Sequence, residues 1–227
     1  MPVPLAASTL PRPPRVLVLG MPKCGTTSLH EAFRSAGFSS VHWALDVGQD
    51  SRADKQLRLW GVGAERRMIA KLMLHASEDG RPPLAYLPPD VDAVAEMNGL
   101  FWLDKQGGEA FGFFPQMSLL DQLVDNYPDA YFILNTRDHR SWVRSITEHN
   151  DLRQRLIQAD LLGLPHGVGA SDEELVDWVV AHHRRVQVLL ASRGSRLLVF
   201  DIDSHGAEEL SAFLGRPVKW GCHNATK

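Results

Sequence analysis

Four apolar residues, Val16-Leu17-Val18-Leu19, stop at Gly20 and enter a short turn, Met21-Pro22-Lys23-Cys24-Gly25. The turn opens onto Thr26-Thr27-Ser28-Leu29 and a helical pattern. This strand–turn–helix constrains the chain more than any other feature. A helix that begins directly after such a turn directs unpaired backbone N–H groups, and the positive end of its dipole, at one point. That point suits a phosphate or a sulfate. Lys23 adds a cation, and the hydroxyls of Thr26, Thr27 and Ser28 add hydrogen-bond donors. The plainer alternative for the same residues is a glycine-containing turn that binds nothing.

A second segment has the same logic. Ala130-Tyr131-Phe132-Ile133-Leu134-Asn135-Thr136 reads as a buried strand launched by the turn Tyr127-Pro128-Asp129. Arg137 follows at its carboxyl end, where a guanidinium can clamp a phosphate in bidentate fashion. Ser145, two helical turns further on, can point back to the same place. Taken alone, this segment reads equally well as a surface helix with solvated arginines.

The loop is a near miss to the nucleotide-binding pattern G-x-x-x-x-G-K-[ST]. Gly20 and Gly25 match, but Thr26 stands where the lysine belongs and Lys23 sits earlier. Pro22-Lys23-Cys24-Gly25-Thr26-Thr27 instead resembles the 5′-phosphosulfate loop of sulfotransferases that use 3′-phosphoadenosine 5′-phosphosulfate (PAPS). The Arg137–Ser145 spacing matches that family's 3′-phosphate-binding arginine and serine, although His139 stands where its members usually carry proline. Tyr127 to Leu134, Leu197-Leu198-Val199-Phe200-Asp201 and the Phe213-Leu214-Gly215-Arg216-Pro217 run extend the likeness. The stretches 38–92 and 98–120 are not diagnostic of it.

The resemblance implies sulfuryl transfer from PAPS to a hydroxyl or amine of a small-molecule or glycan acceptor, with release of 3′,5′-adenosine bisphosphate (PAP). Lys23, Cys24 (through its backbone N–H), Gly25, Thr26, Thr27 and Ser28 would hold the donor's 5′ end, and Arg137 and Ser145 its 3′-phosphate. Lys23 is the candidate for stabilising the leaving phosphate. A sulfuryl group carries less charge than a phosphoryl group, so lysine and hydroxyl donors are expected to suffice without a metal. Glu96 is the first candidate for the base, because Ala93 to Trp102 is similar to the segment of heparan-type enzymes in which a strand ends in a catalytic glutamate; Met97 replaces their lysine. His42 is the second, since cytosolic aryl sulfotransferases use a histidine. His139 is expected to support the 3′-phosphate pocket, and Asp104 to be a solvated loop carboxylate.

Repeated βα units predict an α/β fold with a central, mostly parallel sheet and helices on both faces, and the resemblance implies that it is three-layered and P-loop NTPase-like. Ligands then collect at the carboxyl ends of the strands, where both motifs lie. The expected strands are 15–20, 40–43, 91–97, 130–136 and 196–200. Expected helices are 26–36, two pieces within 50–76 broken at Gly61-Val62-Gly63, 116–126, a helix capped by Ser171 and ended by Gly194, and 207–214. His182 and His183 read as packing or solvated residues.

The 227 residues suit one domain, 15–227, behind a flexible segment, 1–14. A net charge of −3 argues against a general nucleic-acid binder. Two cysteines give no disulfide framework. Without a signal-peptide pattern or an apolar run of ~18 residues, the expectation is a cytoplasmic protein with no membrane partner. Two other readings remain open here. One is a P-loop small-molecule kinase using ATP and Mg²⁺, with Asp201 as the metal-holding carboxylate. The other is a nucleotide-binding protein without catalysis.

Overall fold

The structure, a computed structural model, describes residues 15–45, 67–103 and 108–221. The expected flexible segment 1–14, the first of the two helical pieces before Gly61, and Asp104 lie outside these residues. The core is a parallel sheet of β1 (Val16–Val18), β2 (Ser40–His42), β3 (Ala93–Glu96), β6 (Tyr131–Thr136) and β7 (Arg196–Asp201). Its strand order is β2-β3-β1-β6-β7.

Alternation along the strands builds the layers. Val16 and Val18 pack with Ile133, Phe200 and Ala95 against α1 (Thr26–Ser35) and α8 (Ala207–Leu214) on one face. Leu17 and Leu19 pack with Val94, Phe132 and Leu134 on the other. There the cover is α2 (Ile69–Glu78), α4 (Leu120–Asn126) and α7 (Asp172–Arg193). β1 is therefore covered on both sides, which is why it reads as an unbroken apolar run. All five strands point the same way, so the β1, β2, β3, β6 and β7 carboxyl ends open on one edge.

The termini of the helices follow their sequence signals. Gly25 begins α1 with φ 73°, in the left-handed region. Ser171 caps α7: its Oγ accepts from Glu174 N at 3.2 Å, and Glu174 Oε2 accepts from Ser171 N at 3.0 Å. The helix expected over 116–126 is two pieces, α3 (Pro115–Ser118) and α4. Leu119, at φ −113° and ψ 18°, breaks it, so that Met117 enters a different apolar cluster from Leu120 and Leu123. Residues 98–120 hold an antiparallel hairpin, β4 (Gly99–Trp102) with β5 (Ala110–Phe113). Between β6 and α7 lie α5 (His139–Glu148) and α6 (Leu152–Gln158).

His182 sits on the inner face of α7, 2% exposed, and its Nε2–H donates to Leu19 O at 2.7 Å. Burial pulls its pKa down from 6.5 to about 4. The unfolded chain therefore binds the extra proton more readily, and stability is complete above the ordinary histidine range and lost as pH falls. Urea unfolding at a series of pH values is expected to show a decline between pH 6.5 and about 4, of about 3 kcal/mol from this residue alone. In His182→Gln, which keeps an N–H donor, the decline should be smaller by that amount.

Candidate active site

The strand ends converge on one cavity of about 900 Å³. Its walls include Lys23, Gly25, Thr26, Thr27 and Ser28 after β1, His42 and Trp43 after β2, Glu96 and Asn98 after β3, Arg137 after β6, and Ile202 and Asp203 after β7. One face of α5 contributes Ser141, Arg144, Ser145 and Glu148, at helical spacing from Arg137. Both motifs thus meet in the same space.

The loop after β1 has its carbonyls tied back. His182 Nε2 donates to Leu19 O at 2.7 Å, Gln116 Nε2 to Gly20 O at 3.3 Å, and Trp142 Nε1 to Pro22 O at 2.9 Å. Arg137 Nη1 donates to Lys23 O at 3.1 Å and Asn135 Nδ2 to Cys24 O at 2.6 Å. Asn135 also accepts the N–H of Gly20 on Oδ1 at 2.9 Å. A Cβ at Gly20 would lie 2.1 Å from that oxygen, which leaves room for glycine alone.

Lys23 itself has φ 67°, in a region that costs a side-chain-bearing residue strain. Its Nζ donates to His149 Nδ1 at 3.1 Å. Burial, with the Arg137 charge nearby, lowers the Lys23 pKa, and Glu96 opposes the shift. His149 is also lowered, by burial and by the charges of Lys23 and Arg155. Arg137 Nε is buried with no hydrogen-bond partner.

The two candidate bases are neighbours. The β2–β3 register shifts between Val41 and His42, which brings His42 opposite Glu96. His42 Nε2 lies 2.8 Å from Glu96 Oε2. Thr26 Oγ1 donates to the same Oε2 at 2.6 Å and lies 3.1 Å from His42 Nε2. Burial pushes the Glu96 carboxyl up, but the bonds from His42, Thr26 and Asn98 outweigh it and hold the pKa below the ordinary value. A carboxylate–imidazole pair of this kind can accept a proton from a hydroxyl or amine.

Ser145 is buried and lines the cavity, as does Ser28. Cys24 differs. Its side chain is 2% exposed among Met21, Phe114 and Trp142, and burial pushes the thiol up to about 12. Only its backbone can serve a ligand. His139, expected beside the 3′-phosphate, turns away: its ring lies 6.4 Å from that of His183 in a separate depression. Its helical offset differs from that of Ser141 and Ser145. Asp201 is occupied by its own turn, accepting from Asp203 N at 3.0 Å and Ser204 Oγ at 2.8 Å. Sequence reasoning missed His149, Asn98, Trp142 and Asn135. A polar residue inside an apolar strand was the available signal for Asn135, and four-residue spacing from Ser145 was the signal for His149.

Among the described residues, no group of three or more His, Cys, Asp and Glu side chains is placed to hold a metal ion. No helix among them is long and apolar enough to cross a membrane. A family model for a sulfotransferase domain matches residues 15–163. That span takes in the loop, Glu96, Arg137 and Ser145, and the chain belongs to the sulfotransferase family. No curated protein matches the chain.

Asn135→Ala would leave Gly20 N–H and Cys24 C=O without their partner while both stay buried. Urea titration is expected to show a loss of about 2–5 kcal/mol in unfolding free energy.

Proposed function

We propose that the chain transfers a sulfuryl group from PAPS to a hydroxyl or amine of a small-molecule or glycan acceptor and releases PAP. The observation that supports this reading is that both motifs line one cavity. The loop with its tied-back carbonyls and Lys23 offers one place for an anion, and Arg137 with Ser145 a second. PAPS presents a phosphosulfate and a separate 3′-phosphate, which suits two such sites. Asp201, the carboxylate that the kinase reading assigns to magnesium, accepts from its own turn on both oxygens and is not among the residues that line the cavity.

In this reading the pinned loop, with Thr27 and Ser28, binds the phosphosulfate, and Arg137 and Ser145 bind the 3′-phosphate. The Glu96–His42 pair accepts the acceptor's proton as a new S–O (or S–N) bond forms. The bond from sulfur to the bridging phosphate oxygen breaks, and its electron pair stays on the phosphate beside the Lys23 ammonium. Lys23 stands ready for that charge. Glu96 and His42, first read as alternatives, act as one unit. We further propose a single domain over 15–227, because β7 pairs with β6 and Ile202, Asp203 and Trp220 line the same cavity.

Calorimetric titration with PAP, and an acceptor screen with labelled PAPS, test the proposal. Arg137→Ala is expected to weaken PAP binding by about 10- to 100-fold. Lys23→Ala should lower turnover severely, and intact activity in both variants would remove the site. Glu96→Gln should cut turnover by about 10²- to 10⁴-fold while PAP affinity persists; the same PAP affinity with no turnover in the wild type points to a silent binder. Activity should survive EDTA treatment, because Lys23 and the hydroxyl donors carry the charge stabilisation.

A further inference from the structure

We infer that the Thr26 hydroxyl is a positioning group that couples the two halves of the site: its single proton goes to Glu96 when the donor is absent and to the donor when it is bound. The inference rests on the PAPS reading above.

Thr26 is the first residue of α1, 6% exposed, and faces the cavity from the loop. A hydroxyl has one proton to donate and two lone pairs. Here the proton lies on the 2.6 Å line to Glu96 Oε2. The 3.1 Å approach of His42 Nε2 occupies the accepting side. Nothing is left to give to an anion at the helix N-terminus, although Thr26 stands where such an anion would sit. A phosphosulfate oxygen entering there competes with the carboxylate for the same proton. Threonine in a helix divides between two χ1 rotamers, so a turn of one side chain can make the exchange.

The exchange has a chemical result. With Thr26 turned to the donor, Glu96, which lines the cavity, has one hydrogen bond fewer on Oε2. The carboxylate loses a bond that stabilised its charged form and becomes more basic. His42, at 2.8 Å, still holds its orientation. The base is therefore muted in the donor-free protein and released by donor binding. An acceptor that arrives first meets a carboxylate already engaged.

The charged and titratable groups around the pair are Lys23 on the loop, Arg137 after β6, His149 at the end of α5, and His30 of α1, whose ring lies 5.8 Å from that of His42. None of them changes when Thr26 alone is substituted, so the comparison of variants isolates the hydroxyl.

The test is ¹³C-carboxyl NMR of Glu96 across pH, with and without PAP, in wild type, Thr26→Val and Thr26→Ser. PAP should raise the Glu96 midpoint by about one pH unit more in wild type and in Thr26→Ser than in Thr26→Val. Without PAP, Thr26→Val should already lie above wild type. Equal rises in wild type and Thr26→Val overturn the coupling and leave the donor reading intact. Failure of wild type to bind PAP overturns the donor reading and the coupling together. The wild type also gives an independent measure, needing no variant: three-bond couplings to the Thr26 methyl should report a change of χ1 on PAP addition. An unchanged rotamer overturns the inference.

Discussion

The site depends on where the carbonyl oxygens of the loop after β1 point. Every peptide unit carries an acceptor as well as a donor, and an anion is attracted only where the acceptors face away. Five side chains, from α3, β6, the turn after β6, α5 and α7, hold the carbonyls of residues 19, 20, 22, 23 and 24. Those side chains are placed by the apolar clusters around them. Trp142, for example, is 1% exposed among Met21, Cys24 and Ile146. Packing thus sets the polarity of the loop, which under the proposed function would leave little to rearrange when charge develops.

The same economy appears on the other side of the cavity. One register irregularity between β2 and β3 brings an imidazole to a carboxylate from a different strand. The loop reaches that pair through Thr26, and Lys23 reaches the end of α5 through His149. Arg137 touches the lysine's own carbonyl. Residues separated by more than a hundred positions in the chain form one hydrogen-bonded lining.

Much of this architecture was legible in the sequence. The β1 run, the glycine turn, the Ser171 cap and the Gly194 stop are local signals, and local signals survive folding. Lys23, Thr26, Arg137 and Ser145 line the cavity because motif residues at strand ends must meet at one edge of a parallel sheet. The parts that escaped depend on long-range geometry. The strands β4 and β5 are joined by residues 103–109, too long a connection for the Gly107-Gly108 pair to mark a two-residue turn, and the break at Leu119 reflects two clusters competing for neighbouring residues. Glu96 and His42 looked like rivals because a linear reading has no access to the shift that makes them partners. His139 was misplaced since nearness in sequence to Arg137 does not fix the side of a helix.

Lys23 carries a consequence of its own. Its backbone occupies a conformation that glycine adopts freely and that costs a lysine about 1 kcal/mol or more. A chain selected only for durability would place glycine there. Retaining a lysine there fits the role proposed for its ammonium, and position 23 is where backbone stability and the placing of a cation pull in opposite directions.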